Sequence, residues 1–346
     1  MRILCAGDNF MKPEFFVDAL REQLGEGHEY IANRSNWPDE PYGESDEIQE
    51  WVGDEERLTQ QLQGVNILIT HLAPVTAAML DAAHDLKMIA SCRGGPVNIN
   101  IKAATRHGIP VTYAPGRNAR AVAEYTIGMV IAGQRHIVRS DAELRQGQWS
   151  GSYYAYDRAG SELEGKTVGL IGFGQIGVHL APLLRAFGVH ILTYDPYINA
   201  QTARNLGVEK VDDFQRFLAA SDIVSIHARL SPETTGMINK ETLAAMKPGA
   251  YLINTARGRI VKTDDLVDAL TSGHLSGAAL DVYEEEPPAP GSPLLRLPQV
   301  TLTAHLAGCS KEVALYASDL AAAEVGRFVR GEKPRACANP EVERGY

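Results

Sequence analysis

The sequence has few cysteines and no long apolar run, and each shortage excludes a class of protein. The four cysteines, Cys5, Cys92, Cys309 and Cys337, are scattered without a C-x-x-C pair. Reduced thiols are therefore expected, with no disulfide framework and no metal site. No apolar stretch approaches the ~20 residues that span a bilayer, and the first residues lack the features of a signal peptide. The expected location is the cytoplasm.

An excess of basic charge is also missing. Lys and Arg total 33 against 43 Asp and Glu, which gives a formal net charge of −10. This balance argues against a nucleic-acid surface and provides no basic patch for anionic lipid, so neither kind of partner is expected. A chain of 346 residues exceeds the usual size of one hydrophobic core. Two domains are therefore predicted.

Short apolar runs alternate with longer amphipathic stretches along almost the whole chain. Continuous apolar strands separated by helices are typical of a parallel sheet covered on both faces. The predicted fold class is α/β, with doubly wound parallel sheets. The predicted strands are Arg2–Ala6, Val65–Thr70, Thr167–Ile171, His190–Tyr194, Ile223–Ile226, Ala250–Ile253 and Ala278–Val282.

Three segments depart from this alternation. Residues 33–57, rich in acids and proline, are interpreted as a surface insertion with one helix at most. Residues 119–146 predict one long helix that either bridges domains, forms a subunit interface or lies in the core. Residues 146–165 are rich in Gly, Ser and Tyr and predict a surface connection. The pattern assigns no role to its tyrosines, Tyr153, Tyr154 and Tyr156.

A glycine-rich motif directly follows the predicted strand Thr167–Ile171. Residues 172–177 read GFGQIG, with an apolar strand before them and a helix after them. Gly172 permits the tight turn, Gly174 lets a pyrophosphate approach the backbone, and Gly177 allows close packing of the helix. The amino end of the helix offers unpaired N–H groups to the anion. The motif predicts a dinucleotide site.

Asp195 ends the next strand, where a carboxylate can accept hydrogen bonds from ribose hydroxyls. The same carboxylate would repel a 2′-phosphate, so NAD is favoured over NADP. The alternative is that Asp195 is only a turn residue before Pro196.

Arg257, Glu286 and His305 each lie at or just beyond the carboxyl end of a predicted strand, where open α/β sheets bind ligands. Reduction of a 2-oxo acid needs a planar cationic fork for the carboxylate and carbonyl, which Arg supplies. It also needs a proton donor with a pKa near neutrality, and histidine fits. A carboxylate on the other ring nitrogen raises the imidazole pKa. Singly, Arg257 could cap or pair on the surface, Glu286 could belong to an ordinary acidic loop, and His305 could be a satisfied histidine beneath a helix.

Together these segments resemble the D-isomer-specific 2-hydroxyacid dehydrogenases, a family that includes phosphoglycerate, glyoxylate/hydroxypyruvate and D-lactate dehydrogenases. The resemblance runs from about Ile67 onward. Its segments are GFGQIG at 172–177, SIHARLSPETTGMIN at 225–239, MKPGAYLINTARGRIV at 246–261, GAALDVYEEEP at 277–287 and TLTAHLAG at 301–308.

The resemblance implies two similar doubly wound domains with the active site in the cleft between them. Residues 1–116 with 308–346 would form the substrate-binding domain, and residues 117–307 the NAD-binding Rossmann domain. It implies that Arg257, Glu286 and His305 are catalytic and that the protein is a homodimer. The cofactor-binding residues would be Val122, Gly172, Gly174, Gln175, Ile176, Gly177, Asp195, Ala228, Thr234, Thr255, Ala256, Asp281 and Gly308.

The predicted substrate loop departs from the family pattern. It reads SCRGGPVNIN at residues 91–100, with Val97 where an Asp is common. By resemblance, the amides of Gly94 and Gly95 hold the substrate carboxylate. Arg93 either adds a second cation to the pocket, which suggests a more anionic or more hydroxylated substrate than lactate, or points outward and pairs with an acid.

The predicted function is interconversion of a small 2-hydroxy acid and its 2-oxo acid with NAD. Sugar-acid, hydroxypyruvate and glyoxylate substrates all stay open. Formate dehydrogenase is disfavoured because Glu286 and His305 keep the acid–histidine pair, and the lack of a regulatory domain weighs against phosphoglycerate dehydrogenase itself. The alternative class is a dinucleotide-sensing binding protein of the same fold, similar to the corepressors.

Overall fold

The computed structural model describes residues 1–342 and divides into two compact units. The first unit comprises Met1–Asn118 together with the residues from Ser310 onward, and the second comprises Ala119–Cys309. Substrate binding by the first unit and NAD binding by the second are still predictions. No helix of the described residues is long and apolar enough to cross a membrane.

The described residues contain strands and helices in alternation. The strands are β1 (Arg2–Gly7), β2 (Glu29–Arg34), β3 (Ile67–Thr70), β4 (Met88–Ser91), β5 (Val111–Thr112), β6 (Thr167–Ile171), β7 (His190–Tyr194), β8 (Glu209–Lys210), β9 (Ile223–Ile226), β10 (Tyr251–Asn254), β11 (Gly277–Leu280) and β12 (Val300–Leu302). The helices are α1 (Pro13–Leu24), α2 (Glu55–Gln61), α3 (Ala77–Ala82), α4 (Ile101–Arg106), α5 (Ala119–Gln134), α6 (Ile137–Arg145), α7 (Gln175–Ala186), α8 (Ala200–Asn205), α9 (Phe214–Ala220), α10 (Lys240–Ala245), α11 (Thr263–Thr271) and α12 (Lys311–Val329).

The first unit is built on a five-stranded parallel sheet in the order β2-β1-β3-β4-β5. Successive side chains of β1 pack on opposite faces, as the period of two in a strand requires. Ile3 and Cys5 join a core with α1 and α12, while Leu4 and Ala6 join the core on the other face. The chain reverses its direction of winding between β1 and β3, so ligands are expected beyond the carboxyl ends of these strands.

The second unit is built on a seven-stranded parallel sheet in the order β12-β11-β10-β9-β6-β7-β8. Helices cover both faces, with one apolar core around β9, β10 and α11 and another around α5, β6 and α7. The winding reverses between β6 and β9. Because all strands are parallel, the loops after β6, β10, β11 and β12 emerge at one edge of the sheet. The α/β prediction with two doubly wound parallel sheets is confirmed.

The single long helix predicted over residues 119–146 is wrong. The helix breaks at His136, which has φ 56° and ψ 27° and separates α5 from α6. The carbonyl of Gln134 accepts the amide of Ser161 at 3.0 Å and so leaves the helical hydrogen-bond ladder. The His136 ring stacks on Tyr153, with ring centroids 5.5 Å apart. The helical spacing of apolar residues continues through α6, so nothing in the sequence indicated the break. None of the residues of α6 is buried.

Candidate active site

The glycine-rich loop follows β6 and opens α7. Gly172 has φ +87°, and a Cβ there would lie 2.9 Å from the amide nitrogen of Ala228, so only glycine fits. At Gly174, which precedes the first turn of α7 and provides no side-chain cap, a Cβ would meet nothing within 4 Å. The backbone is therefore open on this side, next to the N–H groups of the helix. The residues fit a dinucleotide pyrophosphate.

Asp195 lies against this loop. Its Oδ2 accepts the amide of Phe173 at 2.6 Å, and its Oδ1 accepts the amides of Tyr197 at 2.7 Å and Ile198 at 3.3 Å. The carboxylate thus orders the turn after β7 and the glycine loop at the same time. Both interpretations of Asp195, a turn residue and a residue next to the dinucleotide site, are compatible with this geometry.

Three residues are buried close together where α5 meets the loop after β10: Val122, Thr126 and Thr255. Val122 and Thr255 are buried, and the hydroxyls of Thr126 and Thr255 lie 3.2 Å apart. Sequence reasoning named Val122 and Thr255 and missed Thr126. Its spacing of one helical turn from Val122 was the available signal, since Thr126 Oγ1 donates to the Val122 carbonyl at 2.7 Å.

Other predicted cofactor residues are engaged within their own loops. The hydroxyl of Thr234 accepts the amide of Ser231 at 2.8 Å and donates to the carbonyl of Arg229 at 2.7 Å. The amide of Ala256 donates to Asn254 Oδ1 at 3.0 Å. These bonds fix the loops after β9 and β10. They leave the predicted contacts of both residues with a cofactor as predictions.

Arg257 extends from the loop after β10 and is exposed. Its Nη1 donates to the carbonyl of Ala256 at 2.7 Å. The next residue, Gly258, contacts the chain before Glu286 so closely that a Cβ would lie 1.7 Å from the carbonyl oxygen of Tyr283. This backbone contact holds the Arg257 loop beside the loop that carries Glu286.

Glu286 and His305 form a hydrogen-bonded pair. Oε2 of Glu286 lies 2.8 Å from Nδ1 of His305, and Oε1 accepts the amide of Tyr283 at 3.0 Å. The hydrogen bond to Glu286 raises the pKa of His305, an effect that burial opposes and the charge of Glu286 reinforces. Burial acts to raise the pKa of Glu286, but the hydrogen bond and charge of His305, with the Tyr283 amide and the charge of Arg257, lower that pKa overall. Both shifts favour the ion pair.

Asp281 holds the turn that presents His305. Its buried carboxylate accepts the amides of Leu306 and Ala307, both at 2.8 Å, and the hydroxyl of Thr303 at 2.6 Å. Its carbonyl accepts the amide of His305 at 2.8 Å. His305 has φ +56°, a left-handed conformation that costs a non-glycine residue about 1–2 kcal/mol. The hydrogen bonds of Asp281 stabilise this conformation, a role that sequence reasoning missed.

The predicted substrate loop lies in the first unit, after β4. The side chain of Arg93 donates to the carbonyl of Glu50 at 3.1 Å and is paired with the Glu50 carboxylate. Val97, at the position where an Asp is common, is exposed. A Cβ on Gly95 would meet nothing within 4 Å, and one on Gly94 would approach only the Ala114 carbonyl, at 3.8 Å. The backbone of both glycines is therefore accessible.

The family described as "D-isomer specific 2-hydroxyacid dehydrogenase, NAD binding domain" matches residues 127–307. This chain belongs to that family. The match includes the glycine loop, Asp195, Arg257, Glu286 and His305. Membership in the 2-hydroxyacid dehydrogenase family, which the sequence predicted, is thereby confirmed, and it supports NAD-dependent activity on a small 2-hydroxy or 2-oxo acid.

Individual members of the family are similar over most of this chain. A glyoxylate reductase of Thermofilum pendens is 41% identical over 86% of this chain and 88% of its own length. A D-3-phosphoglycerate dehydrogenase of Archaeoglobus fulgidus is 36% identical over 86% of this chain, which spans only 56% of that protein. The structure of an NAD-dependent formate dehydrogenase from Staphylococcus aureus in complex with NAD has a TM-score of 0.75 and 28% identity, with 98% of each chain covered.

Proposed function

We propose that this 2-hydroxyacid dehydrogenase interconverts a small D-2-hydroxy acid and its 2-oxo acid by hydride transfer, with His305 as the acid/base. The observation that carries the proposal is the Glu286–His305 pair, held by Asp281 at the carboxyl edge of a Rossmann-type sheet. A histidine in an ion pair has a pKa close to the range that proton exchange at neutral pH requires.

Arg257 binds and polarises the substrate. Within residues 1–342 its side chain donates one hydrogen bond, from Nη1 to the Ala256 carbonyl, so further N–H donors can reach a substrate carboxylate and the carbonyl at carbon 2. The planar guanidinium also stabilises the negative charge that forms on that oxygen during reduction. Arg257 lowers the pKa of both Glu286 and His305 through its charge, so the three groups are coupled electrostatically.

His305 exchanges the proton. Glu286 occupies Nδ1, so Nε2 is the nitrogen that donates to the substrate oxygen in reduction. The carbonyl π bond breaks as hydride joins carbon 2, and the Nε2 proton passes to the oxygen. His305 is then neutral, with its remaining Nδ1 proton shared with Glu286. Oxidation of the hydroxy acid runs through the reverse transfer to Nε2.

The cofactor in this proposal is NAD, in preference to NADP. The bound nicotinamide supplies or accepts the hydride. Gly172, Gly174 and the first residues of α7, Gln175, Ile176 and Gly177, would hold the pyrophosphate. Asp195 would accept ribose hydroxyls, and its negative charge beside the Phe173 amide would disfavour a 2′-phosphate. Val122, Ala228, Thr234, Thr255, Ala256 and Gly308 would line the rest of the site, and the amides of Gly94 and Gly95 would bind the substrate carboxylate.

A homodimer is part of the proposal. The segment from α6 to residue 156 exposes large apolar side chains, an arrangement that a solvated surface does not favour. These exposed residues are Ile137, Val138, Leu144, Trp149, Tyr154 and Tyr156. Sedimentation of the wild type and of Trp149→Glu tests the assignment, since a dimer joined here would shift to monomer in the variant. The cytoplasm is the proposed location, in keeping with four free cysteines.

The test of the function is NADH oxidation with a panel of 2-oxo acids. The panel contains glyoxylate, hydroxypyruvate, phosphohydroxypyruvate, pyruvate and longer sugar-derived acids, and each chiral product is offered back as separate D and L isomers with NAD. The proposal predicts turnover of at least one acid and oxidation of the D isomer alone. Tight NADH binding without turnover of any acid would instead support the dinucleotide-sensing alternative.

A further inference from the structure

A second cluster of ionisable side chains lies in the first unit, at the carboxyl edge of its sheet. Asp8 follows β1, His71 follows β3, Arg93 follows β4 and Arg117 lies beyond β5. Asp8 and His71 therefore stand on either side of the point where the sheet reverses its winding. Open α/β sheets bind ligands at this point. Sequence reasoning applied the strand-end rule to the second unit and missed Asp8 and His71, although each directly follows an apolar strand.

The acid of this cluster, Asp8, and the neighbouring acid Glu50 already have partners. Oδ1 of Asp8 accepts the amides of Phe10 and Met11, both at 2.8 Å, and Oδ2 lies 2.6 Å from Nδ1 of His71. Asp8 and His71 are both buried. The Glu50 carboxylate is paired with Arg93. The sequence left two alternatives for Arg93, a second cation in the substrate pocket or a pair with an acid. The structure shows the pair with an acid.

Arg117 is the cation with unused donors. Its Nη2 lies 3.5 Å from Nε2 of His71, and its Nη1 is buried without a hydrogen-bond partner among the described residues. Burial, together with the nearby charge of Arg93, lowers the pKa of Arg117 to about 10. The guanidinium is therefore charged at neutral pH. Because a buried N–H donor of a charged group is costly to leave without a partner, the site suits an anion.

His71 is an uncharged neighbour of Arg117. Burial lowers the pKa of His71 to about 4, although the hydrogen bond and charge of Asp8 oppose this shift. The imidazole is therefore neutral at pH 7. Its Nδ1–H donates to Asp8, and its unprotonated Nε2 faces Arg117. Trp37 packs edge-on against the buried ring, with centroids 5.7 Å apart. The group in contact with the Arg117 guanidinium is thus a neutral ring and not a carboxylate.

Arg117 is also joined to the predicted substrate loop. The amide of Ala114 donates to the carbonyl of Arg93 at 2.8 Å, and the amide of Arg117 donates to the carbonyl of Ala114 at 3.4 Å. These bonds place the Arg117 backbone one short segment from Gly94 and Gly95. In the proposed function, those glycines bind the carboxylate next to the reacting carbon.

We infer that Arg117 determines specificity for a second oxyanion on the substrate, carried beyond carbon 2, with Arg93 adding charge nearby. This inference rests on the proposed function. The group is a carboxylate or a phosphate, since a planar guanidinium binds either in the same bidentate way. The preferred substrates are accordingly 2-oxo acids with two acidic groups.

The test compares matched substrates that differ only in the second anion. 2-Oxoglutarate is paired with 2-oxovalerate, and phosphohydroxypyruvate with hydroxypyruvate, so the two arms distinguish carboxylate from phosphate. Wild type should reduce the anionic member of at least one pair with a kcat/KM about ten- to a hundredfold higher. Arg117→Gln should remove this preference, mainly through KM, and Arg117→Lys should restore part of it. The exposed Arg106 provides the control Arg106→Gln, which should change nothing.

The outcomes separate the inference from the proposed function. Equal rates within both pairs in the wild type, or an unchanged preference in Arg117→Gln, would overturn the role of Arg117 and leave the reductase intact. If no acid is reduced at all, succinate and inorganic phosphate serve as direct probes. Either anion should then raise the melting temperature of wild type and Arg106→Gln but not of Arg117→Gln, and the absence of any shift in wild type would overturn the inference.

Discussion

The carboxylate of Asp281 and the backbone of His305 are joined through one tight turn. The acid accepts the two amides that follow His305, and its own carbonyl accepts the amide of His305. The left-handed backbone of His305, at φ +56°, depends on these bonds. Positioning of the proton donor therefore depends on Asp281, directly after β11, as well as on the pair with Glu286, which lies in the same loop.

Asp281→Asn should reduce both stability and turnover. An amide can accept through one oxygen only, so at least one of the amides of Leu306 and Ala307 loses its acceptor. The free energy of unfolding should fall by about 1–3 kcal/mol, because a buried donor is left unsatisfied. Thr303→Val, which removes only the hydroxyl donor to Asp281, is the matched control and should have the smaller effect on kcat. Urea denaturation and steady-state assays measure the two quantities. Equal kcat in wild type and Asp281→Asn would contradict the positioning role.

Glu286→Gln should move the pH profile of reduction. Reduction needs protonated His305, so kcat/KM should be level at low pH and fall as pH rises through the raised pKa of His305. Without the charge and hydrogen bond of Glu286 this pKa drops, and the decline should begin at lower pH. Turnover at neutral pH should fall at least about tenfold.

The matched control for that profile is Glu285→Gln, which removes the neighbouring exposed carboxylate and should leave the profile in place. Oxidation should show the opposite dependence and rise across the same range in wild type. A profile in Glu286→Gln that coincides with wild type would show that another group sets the pKa.

Asp195→Asn should weaken discrimination between NADH and NADPH. The single amide oxygen can accept either the amide of Phe173 or those of Tyr197 and Ile198, so one loop contact is lost together with the negative charge. The comparison is therefore made as a ratio of the two cofactors, which both bind the same altered loop. The ratio of kcat/KM for NADH over NADPH should fall by about tenfold, the effect of roughly 1.4 kcal/mol. Asp212→Asn, at an exposed acid of the same unit, is the control. An unchanged ratio would limit Asp195 to its role as a turn residue.

Acid should destabilise the first unit through His71. Its pKa is about 4 in the folded protein, below the ordinary value of 6.5, because of burial. Between these pH values the unfolded chain binds a proton that the folded protein does not. The free energy of unfolding should therefore fall with decreasing pH, by up to about 1.4 kcal/mol per pH unit from this group.

His71→Gln tests that contribution, since glutamine does not titrate. The variant should be less stable at neutral pH, where Asp8 loses its partner, but its stability should depend less on pH between 6.5 and 4. His84→Gln, at an exposed histidine of the same unit, is the control. The same pH dependence in His71→Gln and wild type would exclude His71 as the source.

The sequence predicted most of the second unit because its signals are local. An apolar strand, three glycines and an acid in fixed order specify the loop around Gly172, and the strand-end rule predicts where Arg257, Glu286 and His305 emerge. The pairing of Glu286 with His305 followed from chemistry. The break at His136 was not predictable, because it depends on the amide of Ser161, a contact distant in sequence.

The Arg117 site illustrates the same limit. Arg93 and Arg117 are both arginines beside a strand end, and nothing in their local sequence shows which of them already has an acidic partner. Glu50, the partner of Arg93, lies in the acidic segment that was interpreted as a surface insertion. Only the folded structure shows that Arg93 is paired with an acid while a nitrogen of Arg117 has no hydrogen-bond partner among the described residues.

The central claim is that His305 is the acid/base of a 2-oxo acid reductase, and His305→Gln tests it most directly. NADH oxidation with the best acid of the panel is measured beside NADH binding by fluorescence. The account predicts turnover reduced by about a hundred- to ten-thousandfold with NADH affinity unchanged. Turnover close to wild type in this variant, with NADH still bound, would contradict it.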